Sequence, residues 1–243
     1  MSNNRQLPIS ISEIFGPTVQ GEGTLIGVPT VFVRTGGCDY RCSWCDTMYA
    51  VDPKYHKDWT PMMADEIMNR VCDLVDSPIL ITLSGGNPAI QSLQPLLHLG
   101  HDMGFTFALE TQGSIAREWF RDLDFLTISP KGPSSGNITH ADSVRECIQA
   151  GLHLPTTCLK IVIFDEDDLA YAQQFRLKFP EVSMILQVGN ADIDPDLPLG
   201  ASRQMLLDEY RDLVDRVLVD PILNRCLVLP QLHALIWGNK RGV

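Results

Sequence analysis

The stretch Val31–Asp46, VFVRTGGCDYRCSWCD, carries the reading of the chain. It opens as a short β-branched run, Val31 to Arg34, stops at two glycines, and then sets Cys38, Cys42 and Cys45 in one loop. A strand that delivers reactive side chains just past its end is the habit of α/β folds, whose sites gather at strand C-terminal ends. The pattern recurs along the chain. Ile79 to Leu83 runs into SGGNP, Phe105 to Leu109 into ETQG, Phe125 to Ile128 into SPKGPSS, and Met184 to Val188 carries QVGN. Leu159 to Phe164 and Cys226 to Leu229 read as further strands. Helical spacing lies between them, at Met63 to Val75, Ile90 to Met103, Asp165 to Phe179 and Ser202 to Val217. This alternation predicts right-handed units wound on a mostly parallel sheet. The expected fold is α/β: a partial, laterally open TIM-like barrel of about six or seven mostly parallel strands, with one shared site at its open end.

Composition narrows the class. With 243 residues, no linker-like stretch and no solenoid repeat, one domain over residues 1–243 is expected. A chain with 44% hydrophobic and 20% charged residues is neither disordered nor collagen-like. Nineteen Lys+Arg against 30 Asp+Glu leave a formal charge of -11, the wrong sign for a polyphosphate partner, so no nucleic acid is expected. The start, MSNNRQLPISIS, has no apolar h-region, and no apolar stretch approaches the ~20 residues that span a bilayer. The expectation is a cytoplasmic protein with no membrane partner.

In that compartment thiols stay reduced, and clustered ones more often hold a metal than a disulfide. Cys72, Cys147, Cys158 and Cys226 are scattered singly and read as core residues. Cys38, Cys42 and Cys45 instead place three thiolates in one loop. Zinc would want a fourth protein ligand, and the nearest, His56, lies at no typical spacing. A cubic [4Fe-4S] cluster held by three cysteines leaves one iron open for chemistry, and it suits the loop better.

With Trp44 just before the third cysteine, the loop resembles that of the radical S-adenosylmethionine (SAM) enzymes. The resemblance implies that SAM chelates the open iron and that one electron from the cluster cleaves it to a 5'-deoxyadenosyl radical. Ser84-Gly85-Gly86-Asn87-Pro88 looks like the glycine-rich motif of those enzymes, with Asn87 where a glutamate is common, so that a neutral carbonyl would face the SAM amine. Within the superfamily, FGPTVQGEG, VFVRTGGCDYRCSWCDT, LSGGNPA, ALETQGS, LTISPK, LKIVIF, LQVGN and LPQLHALIWGNKRGV resemble the 7-carboxy-7-deazaguanine synthase family over nearly the whole chain. This implies a lyase that turns 6-carboxy-5,6,7,8-tetrahydropterin into 7-carboxy-7-deazaguanine, with ring contraction and loss of ammonia, on the way to queuosine and related 7-deazapurines. It also implies regenerated SAM, Mg2+, an electron-donating reductase or flavodoxin, and a homodimer.

Carried over residue by residue, the resemblance gives Val19, Gln20, Gly21, Arg34 and Ser84 to the pterin and Thr47 to Mg2+. Trp44, Asp46, Gly86, Ser129, Pro130, Lys131, Gln187 and Asn190 go to SAM. Plainer readings stand beside these. Arg34 also reads as half of a structural ion pair, Thr47 as a turn cap, and Ser129-Pro130 as a strand-ending turn. Glu110 reads equally as a site residue or as an N-cap or salt-bridge partner. Lys160, a charge inside an apolar strand, is either a site residue or half of a buried pair. LPQLHALIWGNKRGV is expected to fold over the barrel mouth. Two other functions compete: a radical-SAM activase acting on a protein glycine, and a non-catalytic Fe-S or zinc module.

Overall fold

The computed structural model describes residues 7–137, 139–151, 157–190 and 199–243. Its strands, in chain order, are β1 Ile9–Val19, β2 Pro29–Thr35, β3 Thr60–Met62, β4 Leu80–Gly85, β5 Thr106–Thr111, β6 Phe125–Ile128, β7 Thr157–Ile163, β8 Ser183–Val188 and β9 Leu227–Leu229. The helices are α1 Met48–Val51, α2 Ala64–Cys72, α3 Gln94–Asp102, α4 Ala141–Gly151, α5 Glu166–Lys178, α6 Leu199–Val219 and α7 Leu232–Trp237. All the described strands join one open sheet in the order β3-β1-β2-β4-β5-β6-β7-β8-β9. From β2 to β9 every pairing is parallel and each new strand is added on the same side. Right-handed crossovers in one direction send the helices to one face and coil the sheet toward a barrel.

The seven expected strands are β2 and β4 to β9. The count rises to nine because β1 and β3 form an antiparallel edge that the sequence reading missed. In β1 the alternation that buries Ile9 and Ile11 is interrupted by Gly16-Pro17, and its register against β2 breaks twice. A bulged strand loses the period of two on which sequence reading relies. Helix α4 was also missed, although Val144, Cys147, Ile148 and Gly151 bury one stripe at helical spacing. The expectation of four core cysteines holds for Cys147 and Cys158. Cys226 is half-buried, and Cys72, the last residue of α2, is exposed.

Alternation along the parallel strands decides where the site lies. Ile81 and Leu83 of β4, Phe107 and Leu109 of β5, Leu126 and Ile128 of β6, and Leu159, Ile161 and Ile163 of β7 belong to one apolar core with Ile67, Val71, Leu96, Val144, Leu169 and Phe175 of the helices. The intervening residues point to the other, concave face. That face is polar although buried: Thr82, Ser84, Thr127, Lys160 and Gln187 are all nearly inaccessible. Polar groups in such a place need internal partners or a ligand.

Candidate active site

Beyond β2 the backbone turns at Gly36 and Gly37. Gly37 has φ +98°, and a Cβ on Gly36 would lie 2.4 Å from the Trp59 ring. The turn throws Cys38, Cys42 and Cys45 over the mouth of the concave face, where they are free thiols, half-buried. Each sulfur has a polar neighbour. Cys38 accepts the Tyr40 backbone N–H at 3.4 Å and faces Gln112 Nε2 at 3.8 Å; Asn137 Nδ2 donates to Cys42 at 3.3 Å; Thr47 Oγ1 lies 3.6 Å from Cys45. Burial pushes the Cys42 thiol up to about 11, against the pull of the Lys131 ammonium, and burial raises Cys38 and Cys45 as well. Ligation needs the thiolate, so binding a metal here expels protons. Among the described residues no three His, Cys, Asp or Glu side chains converge tightly enough for a single metal ion, and His56 is exposed against Trp59. Three thiols on the wall of one cavity, each facing an N–H or O–H donor and with no fourth protein ligand beside them among the described residues, fit an iron-sulfur cluster better than a structural zinc ion.

Neighbouring loops brace the cysteine loop. Asp39 accepts from Asn87 Nδ2 at 2.8 Å and from Gln112 Nε2 at 2.6 Å. Asn87 itself is fully buried, and its carbonyl takes the Thr111 hydroxyl at 2.8 Å and the Ala89 N–H at 3.2 Å. That carbonyl is therefore spent inside the protein, which corrects the expectation that it faces the SAM amine. Gly86 must be glycine because a Cβ there would lie 1.9 Å from the Gly37 carbonyl oxygen. On the other side, Trp44 Nε1 donates to Ser134 Oγ at 3.0 Å, and Ser134 donates to the buried Asp168 at 2.6 Å. The Trp44 ring lies 4.9 Å from Phe164, with Lys131 Nζ 5.5 Å above its centroid.

These loops enclose a cavity of about 300 Å³. Every residue assigned from the sequence to metal, SAM or pterin lines it, except Pro130 and Gln187. Gln187 sits one residue from the end of β8, fully buried, and neither atom of its amide has a partner among the described residues. Ser84 Oγ is orphaned in the same way on the cavity wall. Buried polar atoms without partners mark where a polar ligand binds. Thr47 stands at the N-cap of α1, yet its side chain makes no capping bond and its hydroxyl is left toward the cavity.

A family model described as a 4Fe-4S single cluster domain matches residues 19–107. The chain is 45% identical to the 7-carboxy-7-deazaguanine synthase of Bacillus subtilis (strain 168) over 97% of its length and 98% of the relative's. It is 40% identical to that of Bacillus cereus, over 97% and 99%. The chain belongs to the 7-carboxy-7-deazaguanine synthase family. The crystal structure of Escherichia coli QueE has the same fold, with a TM-score of 0.70 over 93% of this chain and 94% of that one, at 20% identity.

The structure adds charged residues in and behind the wall of this synthase-family cavity, among them Glu13, Glu22 and Arg241, that sequence reasoning passed over. Glu13, on the missed strand β1, accepts from Arg34 Nε, from the Tyr49 hydroxyl and from Arg241 Nε, each at 2.8 Å. Arg34 is thus in an ion pair through Nε and on the cavity wall at once, with its guanidinium carbon 5.5 Å from the Phe15 ring centroid and 6.0 Å from that of Tyr49. Deeper in, Lys160 Nζ bonds Glu22 and lies 3.1 Å from Glu110 Oε1. Gln231 Nε2 donates to Glu22 at 2.7 Å, and a Cβ on Gly21 would strike His233. Burial alone would raise the Glu22 carboxyl, but the Lys160 ammonium outweighs it and holds Glu22 well below the usual range. Glu22 and Gln231 could have been found in the sequence, since they sit inside the quoted FGPTVQGEG and LPQLHALIWGNKRGV; Glu13 carries no local signal.

The segment Gly238–Val243 forms one wall, as expected of it. It is tied down by Arg241, whose guanidinium lies 3.8 Å from the Tyr49 ring centroid, and by the Asn190 to Asn239 amide bond of 2.8 Å. Protein lacking Gly238–Val243 is expected to keep its cluster and to lose turnover, with a higher KM for the pterin or a lower kcat. Steady-state kinetics beside iron analysis check this, and unaltered kinetics would make the segment merely structural.

Proposed function

We propose that this chain is a radical SAM lyase that converts 6-carboxy-5,6,7,8-tetrahydropterin to 7-carboxy-7-deazaguanine, with ring contraction and loss of ammonia, for queuosine or another 7-deazapurine. The observation that carries the reading is the meeting of the three-cysteine loop and the Arg34 guanidinium, ion-paired through Nε, on the wall of one cavity. When bound, the cluster and SAM supply one-electron cleavage and hydrogen-atom abstraction. The chain's own residues hold, orient and exclude.

Cys38, Cys42 and Cys45 hold the cluster. Trp44, Asp46, Gly86, Ser129, Pro130, Lys131, Gln187 and Asn190 hold SAM, Gln187 satisfying its orphaned amide there. Val19, Gln20, Gly21 and Ser84 hold the pterin. Arg34, clamped through Nε by Glu13, offers its remaining prongs to the substrate carboxylate in the two-toothed geometry that guanidinium favours. Phe15 and Phe32, stacked with centroids 5.0 Å apart on the wall, give a flat ring an apolar face and keep water away. A cavity of this size, walled by residues 238–243, suits a small molecule better than the glycine loop of a protein, which disfavours the activase reading.

The wider reading is of one domain acting in the cytoplasm as a homodimer, reduced by a separate reductase or flavodoxin. No described helix is long and apolar enough to cross a membrane. Mass spectrometry of products from the reconstituted, reduced protein with the pterin, with and without SAM, tests the whole. Absence of 7-carboxy-7-deazaguanine under all conditions would overturn it.

Thr47 is the proposed protein ligand of a Mg2+ that also meets the substrate carboxylate, since a hard ion takes oxygen ligands and keeps several waters. Thr47→Ala is expected to retain cluster and SAM binding and to need more Mg2+ for half-maximal turnover. Thr47→Ser, which keeps the oxygen, should stay near wild type. A Mg2+ titration of product formation for the three proteins decides it, and superimposable curves would remove Thr47 from the metal.

A further inference from the structure

The sequence SPKGPSSGN following β6 is used by the proposed function only through its first three residues. The rest of the loop is stapled to the cysteine loop. Ser43 Oγ donates to the Ser134 carbonyl at 2.6 Å, Ser43 N–H to the Ser135 carbonyl at 3.0 Å, and Arg41 N–H to Asn137 Oδ1 at 3.2 Å. The last contact fixes the amide: with its oxygen accepting from Arg41, the Asn137 nitrogen must face the sulfur of Cys42, 3.3 Å away. The orientation is braced further, because Nδ2 also reaches the Ser135 carbonyl at 3.1 Å and the Asn137 N–H donates to Ser135 Oγ at 3.1 Å. Ser135 is fully buried and does not move freely. Cys38 and Cys45 have donors from their own loop, and Cys38 also meets Gln112 Nε2 at 3.8 Å, whereas the donor of Cys42 comes wholly from a different loop, 95 residues further along the chain.

We infer that Asn137 is a positioning residue that sets the reduction potential of the [4Fe-4S] cluster by donating its side-chain N–H to the Cys42 thiolate. The inference rests on the iron-sulfur reading of the loop. Reduction adds one electron to the cluster, and the added negative charge is shared with the ligand sulfurs. A hydrogen bond to a charged acceptor strengthens as charge grows, so a fixed N–H stabilises the reduced state more than the oxidised one and raises the potential. The donor costs nothing in reorganisation, because Arg41 and Ser135 hold it in place before the electron arrives.

The test is a redox titration of reconstituted protein with titanium(III) citrate, in which Ti(III) is oxidised to Ti(IV) as each oxidised cluster gains one electron, followed by electron paramagnetic resonance. In Asn137→Leu, which keeps the shape and loses the donor, the oxidised-to-reduced ratio at the wild-type midpoint is expected to rise on the order of tenfold, or about 59 mV for a one-electron couple. Iron and sulfide content should match wild type. A fully loaded variant with an unchanged ratio would overturn the inference. Should the variant load poorly, wild type grown with 15N-asparagine decides: hyperfine coupling of a side-chain 15N to the reduced cluster is expected, and its absence would overturn the proposal. A wild type that assembles no cluster would overturn the iron-sulfur reading itself, a distinct result.

Discussion

Cys42→Ala protein, purified and reconstituted without oxygen, is expected to contain no [4Fe-4S] cluster, to cleave no SAM and to form no product. Three thiolates are the minimum that holds a cubane while leaving one iron for a substrate or cofactor, and removing one leaves two irons without protein ligands. Cys38→Ala and Cys45→Ala should behave alike, since all three sulfurs line the same cavity. The remaining cysteines provide the contrast. Cys147→Ala removes a fully buried small apolar group and should cost stability on the order of 1 kcal/mol with activity intact. Cys72→Ala, at an exposed position, should change neither. Iron and sulfide analysis, electron paramagnetic resonance and SAM cleavage check the series, and an intact, SAM-cleaving cluster in Cys42→Ala would sink the assignment.

Lys160→Met is expected to be the most destabilising single change in the concave face. The lysine side chain is 4% exposed and neutralises two carboxylates, Glu22 and Glu110, at 16% and 22%. Deleting one partner of a buried pair leaves uncompensated charge, at a cost of about 3–5 kcal/mol, or a fall in Tm of roughly 10 °C for a chain of this size. The pH dependence has a definite sign. Glu22 is held below the usual carboxylate range, so its contribution is full above that range and is lost as pH falls through the lowered value. For Lys160 burial opposes the charge, but Glu110 and Glu22 outweigh it and raise the group. Its contribution is full below the usual lysine range and is lost as pH rises through the raised value. The gap in Tm between wild type and Lys160→Met should therefore be widest near neutral pH and narrow in acid, where Glu22 of the variant takes up a proton. Glu22→Gln/Lys160→Met should recover part of the loss. Equal melting of wild type and the single variant at pH 7 would show the pair to be energetically idle.

The parallel strands were legible because each is an apolar run that stops abruptly at polar or glycine-rich residues, a contrast that survives without any tertiary information. The cysteine loop was legible for the same reason, since it sits at such a stop, whereas the residues given to SAM, pterin and Mg2+ came from the family resemblance, and Val19, Gln20 and Gly21 lie at the end of the unseen β1. Lys160 stood out because a charge inside an apolar strand demands a partner, although its two partners were not named. Glu13 was invisible, since its role depends on the pairing of β1 with β2 and β1 hides its period behind Gly16-Pro17 and two register breaks. Asn87 was misread for a related reason. Its position in the motif pointed outward to SAM, while Ala89 of its own motif, Asp39 of the cysteine loop, and Thr111 and Ser114 after β5 claim its amide. Donor and acceptor counts are settled by neighbours in space, and those are the facts a single sequence conceals most completely.

The sheet is a bracelet left undone between β9 and β3, and the residues after β9 act as its clasp: Leu232 N–H bonds the Gly21 carbonyl at 2.9 Å, and Arg241 reaches across to Glu13 on β1. The clasp is weak by design of its surroundings. Arg241 is 54% exposed, so its ion pair is worth well under 1 kcal/mol once water and salt screen it. Unfastening only its last stretch, Gly238–Val243, disturbs no strand pairing, while α7 stays anchored through Ala234, which is buried in the apolar core. Ligands can therefore be exchanged at a cost far below that of unfolding the barrel, and raising the ionic strength should make that exchange faster while leaving the melting temperature almost where it was.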